Sequence, residues 1–194
     1  MNENLAYKDA PCLEPWREEL IGGKWVAMAP PAMNHIRIAG NIYGIFKDYL
    51  RGRECEPIPD GAPVYLTDEN YYVPDFMVVC DPDKIRPDGV HGAPDLVVEV
   101  LSPGTAKNDK GKKYRMYEAA GVREYWIVSP AERSVEQYLL TEGRFELHEV
   151  YSVYPDFMLA RMKPEELQAV ITEFKCSLYE DLIIRLEDIF YLVN

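Results

Sequence analysis

The sequence predicts a mixed α/β (α+β) domain. Two observations lead to this prediction: a clear helical periodicity early in the chain, and strand-like runs on both sides of a second helical segment. Neither an internal repeat nor a linker interrupts the 194 residues. We therefore expect a single domain, 1–194, with a substantial hydrophobic core.

The first elements should be a short strand and a long helix. WVAMA at 25–29 follows the turn signal Gly22-Gly23, which indicates a strand. A helix should begin near Ala32, because apolar residues recur after it at a spacing of three and four: Ile38, Ile42, Ile45 and Tyr49.

Strand-like runs separated by turns come next, at 63–66, 72–79 and 95–101. A second helix is expected over about 105–120, with Gly121 as its stop signal. Three further strand-like segments follow: REYWIVSP, SVEQYLL and RFELHEVY. Near the end, KPEELQAVITEF has helical character. LIIRLEDIF is apolar, but its pattern is typical of neither a helix nor a strand.

The composition is that of a globular protein, and it limits the functions that fit. Hydrophobic residues make up 47% of the chain and charged residues 28%. No apolar run approaches the ~20 residues that span a bilayer, and the N-terminus lacks the pattern of a signal peptide, so no membrane partner is expected. The net charge of −12 argues against tight non-specific binding to nucleic acid, since phosphate contacts favour a basic face.

The cysteines are widely spaced and form no CxxC pair: Cys12, Cys55, Cys80 and Cys176. This spacing predicts neither a zinc site nor a disulfide framework. It therefore favours a reducing, cytoplasmic location.

Two acidic residues lie within apolar strand-like runs, Asp75 in YYVPDFMVV and Glu99 in PDLVVEV. A buried carboxylate is unfavourable unless it is paired or binds a metal. Two of them on successive strands would form a site for a hard divalent cation such as Mg²⁺ or Mn²⁺. The alternative is that each one caps a turn or pairs with an arginine.

Asp109, Lys113 and Tyr117 follow at i, i+4 and i+8 and would share one face of the second helix. Since EVLSPGTAKNDKGKKY leads directly from the Glu99 strand into this helix, Lys113 could lean over the strand ends. There its ammonium would orient an attacking water or stabilise charge on a phosphoryl oxygen. The alternative is a local Asp109–Lys113 ion pair on a solvated basic face.

The block APDLVVEVLSPGTAKNDKGKKYRMYEAAGVREYWIVSP, with VPDFMVV upstream, resembles the Uma family (Uma-two type) of bacterial proteins, within the PD-(D/E)XK nuclease superfamily. The resemblance extends from EELIGGKWVAMAP to SLYEDLIIRLEDIF and covers most of the chain. It implies a restriction-endonuclease-like core, in which helices flank a central mixed β-sheet. The segment 155–175 looks longer than the family usually has there and is expected to be a peripheral insertion.

The same resemblance implies a set of site residues. The motif aspartate of the family falls on Asp75 and its motif glutamate on Glu99. Leu101 stands where the superfamily has its lysine, and Lys113 on the following helix takes that role instead. Asp75, Glu99 and Lys113 are therefore the expected catalytic residues. A metal would be held by Asp75, Glu99 and the Val100 carbonyl.

The secondary candidates are Glu19, His35, Asp109 and Tyr117. By the same resemblance Glu19 would be a metal ligand or general base, although a surface position fits its charged surroundings equally well. His35 would line the site or be a buried core histidine. Tyr117 and Tyr125 are expected to pack in the core with a hydrogen-bonding tip.

The function expected from the resemblance is a Mg²⁺- or Mn²⁺-dependent endonuclease that cuts phosphodiester bonds in DNA. A homodimer follows by analogy, because duplex cutting commonly uses two sites. Two alternatives remain open. One is a catalytically inactive binding module of the same fold, which the net charge of −12 favours. The other is a metal-dependent hydrolase of a smaller substrate.

Overall fold

The computed structural model describes residues 17–193, which form short strands, one long helix and several short helices. The strands are β1 Glu18–Ile21, β2 Trp25–Ala27, β3 Glu56–Pro59, β4 Val64–Thr67, β5 Asn70–Tyr72, β6 Phe76–Val79, β7 Ile85–Arg86, β8 Gly89–His91, β9 Leu96–Val100, β10 Glu124–Ser129, β11 Ser134–Thr141, β12 Arg144–Ser152, β13 Glu173–Lys175 and β14 Ile183–Arg185. The helices are α1 Met33–Leu50, α2 Ala106–Asn108, α3 Tyr114–Ala120, α4 Asp156–Leu159, α5 Pro164–Gln168 and α6 Leu186–Ile189, with a 3₁₀ turn at Pro82–Lys84. A π-helical turn, Asp109–Lys113, joins α2 to α3.

Two six-stranded sheets carry the fold, and both mix parallel with antiparallel pairs. The central sheet has the order β12-β11-β10-β9-β6-β3, and its β9–β10 pair is parallel. The second sheet has the order β2-β1-β5-β4-β8-β7, and its β4–β8 pair is parallel. β13 and β14 form a separate antiparallel pair. The predicted α/β (α+β) class with a mixed sheet is confirmed, whereas the second sheet was not predicted.

The middle strands of the central sheet are buried on both faces, which explains their nearly continuous apolar sequences. On one face α1 packs through Ile38, Ile42 and Phe46 into a cluster that includes Val98 and Trp126. The predicted helix start near Ala32 is confirmed, since α1 begins at Met33.

The opposite face of the central sheet faces α3 and the second sheet. Because side chains alternate along a strand, Val97 and Glu99 point to this face while Val98 points towards α1. Val97 packs there with Tyr72, Tyr117 and Tyr125. Glu99 is on the same face as this aromatic and aliphatic cluster.

The segment 72–79, predicted as one strand, is divided between the two sheets. Tyr72 ends β5 in the second sheet, and Phe76 begins β6 in the central sheet. Pro74 lies between them and has no N–H to donate to a strand ladder. Asp75 is thereby placed where the chain crosses from one sheet to the other.

The helix predicted over 105–120 is not continuous, because the π turn separates α2 from α3. Its predicted end is correct: Gly121 follows α3 with a φ of +88°, in the left-handed region. Glycine adopts this conformation without strain and commonly ends helices in this way.

The prediction that the cysteines form no disulfide was wrong. β3 and β6 pair with Glu56 opposite Val79, and this register places Cys55 beside Cys80, where the two are bonded with their Cα atoms 4.0 Å apart. Cysteine spacing therefore no longer supports a reducing location. Cys176 is buried and free, and Cys12 lies outside the described residues.

Two further features concern the surface. Residues 155–175 form α4, α5 and β13, with most side chains exposed, and their assignment as an insertion stays a prediction. Among residues 17–193, no helix is both long and apolar enough to cross a membrane.

Candidate functional site

One cavity of about 320 Å³ collects six of the predicted site residues. They come from five parts of the chain: Glu19 from β1, His35 from α1, Asp75 from the crossing segment, Glu99 from β9, and Asp109 and Lys113 from the π turn. The other two candidates, Val100 and Tyr117, donate hydrogen bonds to Asp75 and Glu99 respectively. The structure thus brings all of the predicted residues together.

Asp75 is held from two sides and is only 7% exposed. Its Oδ1 lies 2.8 Å from Nε2 of His35. Its Oδ2 accepts a hydrogen bond of 2.6 Å from the backbone N–H of Val100. The structure gives Val100 this orienting contact, while its carbonyl as a metal ligand stays a prediction.

Glu99 is buried, but only one of its oxygens is engaged by donors. Oε1 accepts hydrogen bonds from Lys113 Nζ at 3.0 Å and from the Tyr117 hydroxyl at 2.9 Å. Within residues 17–193 no donor reaches Oε2. Burial raises the pKa of the Glu99 carboxyl well above its ordinary value, and the attraction of Lys113 only partly opposes this.

Lys113 is the cationic centre of the cavity and is 2% exposed. Its Nζ lies 2.8 Å from Glu19 Oε1, 3.0 Å from Glu99 Oε1 and 3.5 Å from Asp109 Oδ1. Burial alone would lower the pKa of this ammonium, but the attraction of the three carboxylates outweighs it and holds the pKa well above its ordinary value. The side chain on the helix therefore reaches the site in its charged form.

Asp109 and Lys113 are the first and last residues of the π turn. π turns are rare in helices and are frequent at functional sites. Asp109 and Lys113 are both buried, so the alternative of a solvated ion pair on a basic face was wrong. Their separation of 3.5 Å exceeds the distances from Lys113 to Glu19 and Glu99, so the local pair is the weakest of the three.

Glu19 is a cavity residue and not a surface residue, with 4% of its area exposed. Its Oε1 contacts Lys113 and also accepts a hydrogen bond of 2.9 Å from the Val73 backbone N–H. Val73 follows β5, which pairs with β1 in the second sheet, so this bond ties Glu19 to the start of the segment that carries Asp75.

His35 lines the cavity from α1 and pairs with Asp75. Burial alone would lower the pKa of this imidazole, but the hydrogen bond to Asp75 and the attraction of that carboxylate raise it above its ordinary value. Its Nδ1 is buried and has no hydrogen-bond partner in the described part of the chain. His35 is thus a cavity residue and not simply a packed core histidine.

Several lining residues were missed by the sequence reasoning. An Arg17–Asp60 ion pair lies at the cavity with both side chains partly exposed, and Ser102, Thr105 and Asn108 add neutral polar groups. Asp60 belongs to the turn sequence PDG, which looks like any other turn. Nothing local in the sequence distinguishes these residues from ordinary loop positions.

Carboxylates outnumber cations in this cavity. Its lining carries Glu19, Asp60, Asp75, Glu99 and Asp109, against the permanent cations Arg17 and Lys113. Burial raises the pKa of Asp109, as it does that of Glu99. Glu99 and Asp109 therefore hold a proton more readily than exposed carboxylates do.

Carboxylate oxygens are the ligand type that hard divalent cations of the magnesium type prefer. Oε2 of Glu99 has no donor, and Oδ1 of Asp109 is buried without a hydrogen-bond partner among the residues described. Within 17–193 no three His, Cys, Asp or Glu side chains are gathered closely enough to hold a metal by themselves. Mg²⁺ is usually bound by one or two carboxylates, with water and substrate phosphates completing its shell.

The fold and the cavity together define a class of protein: a mixed α/β domain with a buried carboxylate–lysine centre beside its central sheet. The chain belongs to the Uma2 family, described as "Putative restriction endonuclease", whose family model matches residues 6–172. The resemblance that the sequence motifs indicated is thereby confirmed.

Similar proteins were found among curated sequences and solved structures. "Uncharacterized protein slr1290" of Synechocystis sp. (strain ATCC 27184 / PCC 6803 / Kazusa) is 32% identical over 124 residues, which is 63% of this chain and 65% of that protein. "Uncharacterized protein sll1609" of the same strain is 26% identical over 126 residues, which is 63% of this chain and 71% of that protein. The match to the first relative thus spans less than two thirds of its length.

A crystal structure from Anabaena variabilis ATCC 29413, of "a putative nuclease belonging to DUF820", superimposes with a TM-score of 0.66 at 20% identity. The superposition covers 89% of each chain. At this identity the likeness establishes the fold.

Proposed function

We propose that this protein is a metal-dependent endonuclease that hydrolyses phosphodiester bonds in DNA. The observation that carries the proposal is the convergence of Asp75, Glu99 and Lys113 in one cavity of a chain from a family described as "Putative restriction endonuclease". Two carboxylates and an ammonium are groups that metal-assisted attack of water on a phosphodiester can use.

Asp75 and Glu99 would hold Mg²⁺ or Mn²⁺, with the Val100 carbonyl as a further ligand. When bound, the cation would lower the pKa of a water molecule and offset the negative charge of the phosphate. Glu99 has Oε2 available for this role, because both of its donors engage Oε1. Asp75 would share Oδ1 with His35.

The surrounding side chains keep the two carboxylates oriented. Lys113 and Tyr117 fix Oε1 of Glu99 and so direct Oε2 away from them. His35 and the Val100 N–H fix the plane of Asp75. Lys113 would also steady the attacking water or the charge that develops on a phosphoryl oxygen.

The first test is isothermal titration of Mg²⁺ and Mn²⁺ into the wild-type protein and the Glu99→Ala variant, each with and without a short DNA duplex. Binding present in the wild type and absent in the variant supports the metal site. Cleavage assays on DNA and RNA then identify the substrate, with Lys113→Ala as a second control. Metal-dependent cleavage that survives alanine at both Asp75 and Glu99 would overturn the proposal.

A second candidate, a binding module without catalytic activity, is favoured by one observation. Lys113 already supplies a positive charge to three carboxylates, and the chain carries a net charge of −12. Such a module would bind neither metal nor DNA at low salt. DNA affinity that falls steeply as salt rises would instead favour the nuclease.

A further inference from the structure

The Cys55–Cys80 disulfide lies at one end of the strand pair β3–β6. Cys55 immediately precedes β3, and Cys80 immediately follows β6. Both residues are only half-buried, so a reductant can reach the bond from solvent. The proposed phosphodiester chemistry makes no use of this disulfide.

The other end of the same strand pair carries two carboxylates of the cavity. β3 and β6 are antiparallel, with Pro59 opposite Phe76. Asp60 is the residue directly after β3, and Asp75 is the residue directly before β6. Both carboxylates line the cavity. β3 therefore connects the disulfide to the cavity through about 17 Å of extended chain.

β3 is held weakly apart from this covalent bond. It is the edge strand of the central sheet, and its sequence is EPIP, in which Pro57 and Pro59 have no N–H. Only Glu56 and Ile58 can donate to a strand ladder, and of the four side chains only that of Ile58 is buried. A segment with few hydrogen bonds and little buried surface opens locally at low free energy. The disulfide therefore supplies a large part of what holds β3 against β6.

We propose that the Cys55–Cys80 disulfide is a redox switch for the cavity, in which the oxidised bond holds β3 and Asp60 in place and reduction releases both. The reductant would be a dithiol. One of its thiolates attacks a sulfur of the bond and forms a mixed disulfide, and its second thiol then displaces the protein. The protein gains two electrons and two protons as two thiols, while the dithiol is oxidised to a disulfide.

Release of Asp60 would change the charge of the cavity. Burial is the main cause that raises the pKa of the Asp60 carboxyl, and the charge of Asp75 adds to it although Arg17 opposes it. Asp60 is thus close enough to Asp75 for the two carboxylates to interact. Removing one of two neighbouring negative charges should weaken the attraction of the cavity for a divalent cation.

The rest of the domain should keep its structure when β3 is released. β6, β9 and β10 remain paired with one another in the central sheet, and all of their side chains are buried. The effect on DNA cleavage rests on the proposed nuclease function, whereas the opening of β3 does not.

The experiment compares the oxidised protein, the protein reduced with dithiothreitol, and the reduced protein after reoxidation, all in a Cys12→Ser background. Thiol titration verifies each state, and the dithiothreitol is removed before metal is added. Hydrogen exchange is followed by mass spectrometry in peptides that cover 54–62 and 96–100. Mn²⁺ titration with a short DNA duplex and DNA cleavage are measured on the same samples.

Two variants complete the design. The double variant Cys55→Ser/Cys80→Ser cannot form the bond and should behave as the reduced protein does, with or without dithiothreitol. The matched control is Cys176→Ser, because Cys176 is buried and free. This control should respond to reduction and reoxidation as the unsubstituted background does.

Reduction should make hydrogen exchange in 56–60 at least about ten-fold faster and leave 96–100 unchanged. Mn²⁺ affinity and DNA cleavage should each fall about ten-fold. Reoxidation should restore all three quantities, a recovery that misfolding does not produce.

The outcomes separate the switch from the nuclease function. Equal hydrogen exchange in the oxidised and reduced proteins would overturn the switch, and so would faster exchange with unchanged Mn²⁺ affinity and cleavage. Exchange and Mn²⁺ affinity that both respond, without DNA cleavage in either state, would overturn the nuclease proposal and leave the switch standing. Absence of Mn²⁺ binding in both states would overturn both.

Discussion

Glu99 and Glu124 are buried carboxylates on the neighbouring parallel strands β9 and β10, yet they are stabilised in different ways. Glu124 is 0% exposed and both of its oxygens accept hydrogen bonds from uncharged donors. These donors are Trp126 Nε1, Gln137 Nε2, and the N–H and hydroxyl of Ser177, at 2.5 to 2.7 Å, with the Cys176 thiol at 3.4 Å.

Glu99 has a cation as a partner and an oxygen without a donor. Lys113 and Tyr117 both reach Oε1, and the residue lines the cavity. A buried carboxylate whose oxygens are all satisfied by neutral donors fixes the fold, as Glu124 does between the central sheet and the segment after β13. One with an oxygen left for a ligand indicates a functional site. Burial alone does not separate the two roles.

The largest effect is expected when the charge of Glu99 is removed. Glu99→Gln should lower metal-dependent DNA cleavage by at least about 100-fold, because the charge that acts in the transition state is lost. Its free energy of unfolding should change by less than about 1 kcal/mol, since Lys113 keeps Glu19 and Asp109 as partners. Cleavage kinetics and urea unfolding measure the two quantities, and unimpaired cleavage would contradict the role of Glu99.

The matching change at Glu124 should have the opposite profile. Glu124→Gln places an amide NH₂ against the donors of Ser177 or of Trp126 and Gln137, so the free energy of unfolding should fall by roughly 2 to 3 kcal/mol. Cleavage per folded molecule should be unchanged. Urea unfolding followed by tryptophan fluorescence gives the stability. A loss of cleavage beyond the loss of folded protein would show that Glu124 contributes to activity as well as to stability.

A smaller effect is expected from the hydroxyl that supports Glu99. Tyr117→Phe removes a donor to the ionised carboxylate and should lower cleavage and metal affinity roughly ten-fold. The pKa of Glu99 should rise further, because a hydrogen bond to its charged form is lost. The acidic limb of the pH–rate profile, where Glu99 becomes protonated, should then move to higher pH.

Tyr125→Phe is the control for that prediction. Tyr125 is as buried as Tyr117, but its hydroxyl donates to the backbone carbonyl of Asp109 at 3.1 Å. Loss of the Tyr125 hydroxyl should leave the acidic limb of the pH–rate profile unchanged. If both variants moved this limb to the same extent, Tyr117 would have only a packing role.

The smallest effect is expected from the corresponding hydroxyl at Glu124. Ser177→Ala removes one donor and leaves Glu124 with the Ser177 N–H, Trp126 and Gln137, so the free energy of unfolding should fall by about 1 kcal/mol. Cleavage should not change. Chemical unfolding of this variant beside Tyr117→Phe tests whether single hydroxyl groups divide between stability and activity as their carboxylates do.

Much of the central sheet and α1 was predictable, because their patterns are local. The spacing of Ile38 and Ile42 and the apolar run of β9 each lie within a few residues. The second sheet escaped prediction as a sheet, although the strands predicted at 25–29 and 63–66 coincide with its β2 and β4. Its strands contain only two to four residues, too few to show a period of two. Which of them pair depends on contacts between distant segments.

The part of the candidate site that could be predicted from the sequence consists of acidic residues within apolar runs, because a buried carboxylate is unfavourable without a partner. Asp75 and Glu99 stand out in this way, whereas Glu124 begins its strand and its donor Ser177 lies 53 positions further along. The disulfide was missed for the same reason. A separation of 25 residues between Cys55 and Cys80 carries no sign of pairing until β3 is placed against β6.

The π turn makes the length of the segment before α3 as important as its composition. Deletion of Gly111 would remove no charge and no hydrophobic contact surface, and it would allow the helix to return to regular α geometry. With one residue fewer, Asp109 and Lys113 would stand at i and i+3, which still share a helical face, but the angle between their side chains would change because each residue of an α-helix turns by about 100°. A single-codon deletion would therefore shift Lys113 relative to the carboxylates that contact it, while every side chain of the carboxylate–lysine centre is still encoded.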